Sequence, residues 1–357
     1  MKRCIKVVAS SAIGLFVVWA LFRGADWRVV GRTIREVRLG WLLLMQVPIW
    51  LSYVARIQRW SYIVRATKPA SFRHMFSATH IGFLANFTLP LRIGEPIRAL
   101  VLNRLAKLKF PQAMAMVVLD RVTDLISLVP VLVVTLIALP SIGTIVLPPG
   151  TLKNEKPIIF KEAYITAGAW GAMAFLLGVV AVLVLLYVNK AMVLRISDRL
   201  LGGVWPRLAR SARGLLTHFA EGLHVFRSAA DMAKSVAFSL ITWGLTLISW
   251  VFLLEAFDLE WPWYTVFVMQ SFLAAAISAP GLPGLLGQFH FPIVIALLVC
   301  VEGMDPNGAK ALAIVAHLLC VIPIYIAGVF CLFWEQMGLL ELTRETAHSQ
   351  VEFEQDG

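Results

Sequence analysis

Six stretches of the chain, 5–22, 41–57, 111–139, 163–188, 235–256 and 309–334, are apolar runs close to the length of about 20 residues that a helix needs to cross a bilayer. In hydrocarbon each backbone N–H and C=O must find its partner within the protein, and an uninterrupted apolar run of this length does so as a helix. Charged residues make up 15% of the chain, against about 25% in soluble domains. The expected fold class is therefore all-α: a polytopic helical membrane bundle with six clear spans. The run 5–22 follows Lys2, Arg3 and Lys6 as a signal peptide would, but it lacks a small-residue cleavage site and reads as a retained first helix.

Two further apolar regions, 74–103 and 262–300, are interrupted by Pro and Gly, as LPLRIGEP in the first and APGLPGLLG in the second. Broken backbone at membrane depth is tolerated where protein or water satisfies its polar groups. Both regions are expected to be re-entrant or broken-helix hairpins. Their corresponding places in the two halves are the pattern of an internal repeat.

Residues 1–335 read as one membrane domain and 336–357 as a polar cytoplasmic tail that frays. The net charge of +11 follows from Lys and Arg gathering in cytoplasmic loops, which makes nucleic acid an unneeded explanation. The basic segment 189–234 and the segment 58–73 are placed in the cytoplasm on this rule. Alternating the spans then puts both termini on the cytoplasmic side of the cell membrane and the loop 140–162 outside. The region 23–40 carries five arginines yet falls on the outer side. The spacing of Trp27, Val30, Ile34 and Val37 predicts an amphipathic helix lying in that interface.

Within this apolar chain, Arg92, Glu95 and Arg98 are followed closely by Asp120, Arg121 and Asp124. A charge at the centre of a membrane helix costs about 2.5–3.5 kcal/mol on insertion scales. Such a set is retained when its charges neutralise one another, line a wet cavity or hold a ligand. Residues 92, 95 and 98 recur every three positions, and Asp120 and Asp124 share a helix face. Arg56 and Arg59, one turn apart, add positive charge that suits an anionic head group, and the guanidinium fork matches phosphate oxygens. The same residues also fit a structural role, with the arginines marking the interface and the aspartates pinning helix packing.

The second interrupted region has no charge from Ser278 to Phe289; it offers Gly281, Gly284, Gly287 and Gln288, then His290. Glycines at this spacing allow turns with positive φ or close helix packing. Cys4, Cys300, Cys320 and Cys331 have no metal-ligand spacing, and no nucleotide-binding G-x-x-x-x-G-K-[ST] motif is present. No metal and no cofactor is expected.

The series Arg56-x-x-Arg59-Trp60, Gly82-x-x-x-Asn86, Leu89-Pro90-x-Arg92-x-Gly94-Glu95-x-x-Arg98 and Asp120-Arg121-x-x-Asp124 resembles the flippase-like membrane domain of lysylphosphatidylglycerol synthases and its stand-alone relatives. Pro283-Gly284-x-x-Gly287 resembles the second signature of that group. The resemblance runs from about residue 5 to 335. His290 stands where the group commonly has Glu, and no counterpart of the soluble aminoacyl-transferase domain is present in the sequence.

The resemblance implies translocation of a membrane lipid, with an anionic phospholipid or a lipid-linked saccharide as substrate and lipid-synthesis enzymes as partners. On that reading Arg56, Arg59, Arg92 and Arg98 hold the head group. Glu95, Asp120, Arg121 and Asp124 balance them, and Asn86, Gly284, Gly287 and His290 line the site. The protein is then not an enzyme. Two alternatives stand beside it: a membrane-embedded enzyme acting on a polyprenyl-phosphate or glycolipid, with Glu95, Asp120 or Asp124 as base, and a scaffold for a lipid-synthesis complex.

Overall fold

The computed structural model describes residues 16, 18–65, 68–89, 93–142, 145–149, 151, 157–160, 162–201, 229–278 and 283–346. The helices are α1 (Trp27–Glu36), α2 (Leu39–Arg65), α3 (Phe72–Thr88), α4 (Gly94–Ala106), α5 (Phe110–Ile142), α6 (Glu162–Leu201), α7 (Ala229–Ala256), α8 (Thr265–Ser278), α9 (His290–Cys300) and α10 (Pro306–Trp334). Residues 18–22 are also helical; most of the run 5–22 lies outside the described residues. One antiparallel ribbon, β1 (Ile145–Leu147) with β2 (Ile158–Phe160), sits in the loop between α5 and α6 and pairs Ile145 with Phe160. The run 163–188 lies within α6, which departs from helical geometry at Asn189 (φ −148°, ψ 74°).

Among the described residues five segments are long and apolar enough to cross a membrane: Leu39–Arg65, Phe110–Ala138, Ala233–Ala256, Pro283–Cys300 and Pro306–Trp334. The protein is a polytopic helical membrane protein. Its apolar side chains point outward as well as inward. Leu43, Val47, Leu51 and Val54 form an exposed stripe along α2, and Leu318, Ile322, Ile326 and Val329 do the same on α10. In water such stripes would be a liability; in a bilayer they are the lipid-facing surface.

The interrupted regions fold as pairs of short helices, of which α9 reaches the length of a span only together with the turn that precedes it, as Pro283–Cys300. At 1.5 Å per residue, α3 and α4 are about 25 and 20 Å long, and α8 and α9 about 21 and 16 Å, against a hydrocarbon core of about 30 Å. The pairs enter from opposite ends of the bundle. The base of α3–α4 lies beside the last residue of α2 and the end of α10, where Arg73 Nε reaches Glu335 Oε1 at 3.2 Å. The base of α8–α9 lies at the end of α7 and the start of α10. Arg38 N donates to Ala256 O at 3.0 Å and Asp26 N to Asn307 Oδ1 at 3.0 Å there.

The tips meet, since a Cβ on Gly284 would lie 3.9 Å from Phe87 O, and both are tied to α10. Tyr325 Oη on α10 donates to Phe87 O at the end of α3 (3.4 Å), and His317 Nε2 lies 2.7 Å from Gly284 O. Gly284 (φ 72°) and Gly287 (φ 78°) adopt the left-handed backbone that glycine favours.

Each hairpin has its own apolar core. Ile57, Trp60, Met75, Ile81, Ile97 and Leu100 pack around α3–α4. Met45, Trp250, Met269, Ile293, Leu297 and Leu312 pack around α8–α9. Hydrogen bonds between helices add direction: Trp243 Nε1 to Ser127 Oγ at 2.9 Å, Trp250 Nε1 to Gln270 Oε1 at 2.9 Å, and Thr135 with Ser271 at 2.8 Å. The tail differs from expectation. Residues 339–346 are helical, with Leu342 fully buried in the first core and Arg104 bound to Glu341 and Glu345. One buried leucine and two acids facing a basic helix end are enough to hold it down.

Candidate functional site

Three elements bring the charged side chains together: the last three turns of α2, the start of α4 and the middle of α5. Arg59 is six residues from the end of α2 and Asp120 ten residues into α5, so they sit about 9 and 15 Å below those helix ends. Arg59 is fully buried. Its Nε donates to Asp120 Oδ1 at 3.0 Å and its Nη2 to the same oxygen at 2.6 Å, while Nη1 pairs with Asp124 Oδ1. Arg56 pairs with the other oxygen of Asp124. Asp120 Oδ2 accepts from Arg98 Nη1 at 2.7 Å, so both carboxylate oxygens of this buried residue are taken by arginines.

The open side of the network is built from Glu95 and Arg121. Arg121 Nη2 lies 2.6 Å from Glu95 Oε1, and its Nη1 lies 3.5 Å from Asp124 Oδ2. Asn86 bridges the hairpin: its Nδ2 donates to Glu95 Oε1 at 3.1 Å and its Oδ1 accepts from Gly94 N at 2.9 Å. Arg121 is 36% exposed and Glu95 24%, whereas Arg59 and Asp120 are fully buried.

The hairpin backbones touch at glycines. A Cβ on Gly82 would lie 2.7 Å from Arg98 Cβ, and one on Gly94 would run into Gly82 O and stand 2.5 Å from Asn86 Oδ1. Only with both side chains absent can α3 and α4 approach closely enough for Asn86 to cap the tip and Arg98 to turn toward α5.

Arg98 is the unusual member. It is fully buried, and its guanidinium carbon lies 3.6 Å from the centroid of Trp60, a cation–π contact. Nη1 is committed to Asp120, while Nε and Nη2 have no hydrogen-bond partner. Glu95 Oε2 and Arg121 Nε are also buried without one. Unsatisfied buried donors and acceptors each cost about 1–3 kcal/mol, so four such atoms in one network mark a place suited to a polar ligand. Arg56, Arg59, Arg98 and Arg121 face Glu95, Asp120 and Asp124, which leaves the described network one positive charge in excess.

Of the residues singled out from sequence, Arg56, Arg59, Asn86, Glu95, Arg98, Asp120, Arg121 and Asp124 form this one network. Arg92 lies outside the described residues. Gly284, Gly287 and His290 lie at the other hairpin, with the Gly284 carbonyl on His317 and the His290 and His317 rings 4.6 Å apart. The tips join the two groups through Phe87, one residue after Asn86. Trp60 as the platform under Arg98 was legible only as a neighbour of Arg59. His80, buried among Trp50, Tyr53 and Phe83, was missed; a lone polar ring in an apolar helix was its only signal. Among the described residues no group of three or more His, Cys, Asp or Glu side chains gathers as a metal ion would require.

Fold and site together define a polytopic helical membrane protein whose buried arginine–carboxylate network sits at an interrupted hairpin. The chain belongs to the family of the lysylphosphatidylglycerol synthase TM region, whose model matches residues 7–328. That membership puts it with membrane proteins of the lipid-related flippase and synthase type. No curated protein and no solved structure matches it.

Proposed function

We propose that the protein moves an anionic lipid head group across the cell membrane, with the α2–α4–α5 network as the head-group site. The observation that carries this reading is Arg98: a buried cation, stacked on Trp60, with two N–H groups free in a network that has one positive charge in excess. A phosphate brings the missing negative charge and the missing acceptors together. Opposed hairpins whose tips meet supply the second requirement of a transporter, a discontinuous element approached from either side. The lipid tails stay in the bilayer while the head group passes the tips. Catalysis is the weaker reading because both oxygens of Asp120 are taken by Arg59 and Arg98, which leaves neither oxygen facing a substrate.

Reconstitution into liposomes with NBD-labelled phosphatidylglycerol tests it, with dithionite quenching reporting the label that stays in each leaflet. Wild type is expected to exchange the label between leaflets, and Arg121→Gln at the open side and Arg56→Gln at the partly buried edge of the network are expected to slow exchange while the protein remains monodisperse. Exchange by wild type no faster than in empty liposomes for phosphatidylglycerol and for the lipids that co-purify with it would overturn the transport reading. Equal rates in wild type and both variants would remove the network from it.

A further inference from the structure

Helix α1 carries Arg28, Arg32 and Arg35 at i, i+4 and i+7, which places them on one face. All three are exposed, and none has an ion pair among the described residues. Like charges at this spacing repel and destabilise a helix. The flanking arginines are already occupied: Arg38 Nη2 pairs with Asp258 Oδ2 at 2.6 Å, and the Arg23 guanidinium lies 4.5 Å from the Trp19 ring. Asp26 is spent as the N-cap, accepting from Arg28 N at 2.9 Å and Val29 N at 3.3 Å.

The neighbouring face is apolar and only partly covered. Val30 is buried, while Trp27 is 60% and Ile34 36% exposed. Both ends of the helix are tied to the same end of the bundle, Asp26 N to Asn307 in the first turn of α10 and Arg38 N to the last residue of α7. A helix fixed at both ends to one level lies across the bundle in the plane of the interface. Its arginines then stand at head-group height and Trp27 and Ile34 at the edge of the acyl chains.

We propose that α1 is a binding site for anionic phospholipids, with Arg28, Arg32 and Arg35 on the lipid phosphates and Trp27 and Ile34 against the acyl chains. The exposed apolar pair beside the arginines selects a lipid over a free phosphate ion. The ties to Asn307, Ala256 and Asp258 put this site at the mouth of the α8–α9 hairpin. The proposal does not depend on the transport reading, since it concerns a different surface and an equilibrium occupancy.

The test is native mass spectrometry of the full chain released from nanodiscs that contain equal phosphatidylglycerol and phosphatidylcholine with matched acyl chains. Wild type is expected to retain phosphatidylglycerol over phosphatidylcholine by about tenfold, in keeping with the pull of several basic residues on an anionic surface. Arg28→Gln/Arg32→Gln/Arg35→Gln is expected to lose most of that preference. Arg65→Gln/Lys107→Gln/Lys109→Gln, the same charge change at the opposite end, is expected to keep it. Trp27→Ala with the arginines intact should reduce retention of both lipids. Equal preference in wild type and the α1 triple variant would overturn the site, as would equal loss in the two triple variants. Loss of the preference on adding inorganic phosphate at constant ionic strength would assign the arginines to a free anion instead.

Discussion

Asp120 Oδ2 accepts from Arg98 Nη1 at 2.7 Å, an ion pair that joins the interrupted hairpin to the spanning helix α5. The other oxygen of the same carboxylate is held by Arg59 of α2. One buried aspartate thus sets the mutual position of three helices, and through Arg98 it sets how far the hairpin tip lies from α5. Buried ion pairs are poor sources of net stability because both partners lose their hydration. Their effect on geometry is a different matter, since a single register satisfies all of these bonds.

Removal of Asp120 should therefore cost more than the pair contributes. Asp120→Ala leaves Arg59 and Arg98 buried with fewer partners, and breaking a buried pair costs about 3–5 kcal/mol. The expected result is a large drop in the thermal midpoint of the detergent-purified protein. Asp124→Asn, at a residue that retains some exposure, should cost less. A midpoint for Asp120→Ala within a degree of wild type would mean that the network does not hold these helices.

Much of this arrangement was legible because charges and helix breakers stand out against apolar sequence. Arg56, Arg59, Asp120 and Asp124 were recognisable as a set, and Pro and Gly marked both hairpins. The amphipathic spacing of Trp27, Val30 and Ile34 found α1. The pairing was not legible: that Glu95 binds Arg121 while Arg98 takes Asp120 depends on how α4 lies against α5. Periodicity within one helix carries no information on that crossing. Leu342 was hidden for the same reason, one of a few apolar residues in a polar tail whose burial depends on the helices above it.

Gly94 should be intolerant of a methyl group. A Cβ there meets Gly82 O, a backbone atom that cannot turn aside, and Asn86 Oδ1 at 2.5 Å. Overpacking of this kind costs about 1–3 kcal/mol. Gly94→Ala should lower the thermal midpoint and open the hairpin tip to hydrogen exchange at 86–89. Gly244→Ala is the control, since nothing lies within 4 Å of its Cβ and mid-helix alanine is favoured over glycine by about 0.5–1 kcal/mol. Equal midpoints for the two variants would refute the close contact.

The helix at 339–346 should be held by packing more than by charge. Leu342 is fully buried, and replacing a buried leucine with alanine costs about 2–5 kcal/mol. The Arg104 pairs are partly exposed, and exposed pairs contribute about 0.2–1 kcal/mol. Leu342→Ala should expose the segment to trypsin at Arg344, whereas Arg104→Ala should leave cleavage nearly as slow as in wild type. The reverse order would make the ion pairs the main attachment.

Glu95 should separate holding a lipid from moving it. Its Oε1 is shared by Arg121 at 2.6 Å and Asn86 at 3.1 Å, and its other oxygen is unpartnered. Glu95→Gln keeps the side-chain shape and removes one negative charge. Four arginines then face two carboxylates, and the described network carries an excess of two positive charges instead of one. On the transport reading an anionic head group is bound more tightly, by about tenfold for a gain of ~1.4 kcal/mol. The same gain deepens the well from which the head group must leave, so NBD-phosphatidylglycerol should cross more slowly while more lipid is retained in native mass spectra. Arg121→Gln brings the balance to zero and should lower retention. Opposite shifts in retention for the two variants, with slower crossing in both, are the signature of a site that binds its cargo through charge. A fall in retention in Glu95→Gln would instead make the Glu95–Arg121 pair a structural brace at the hairpin tip.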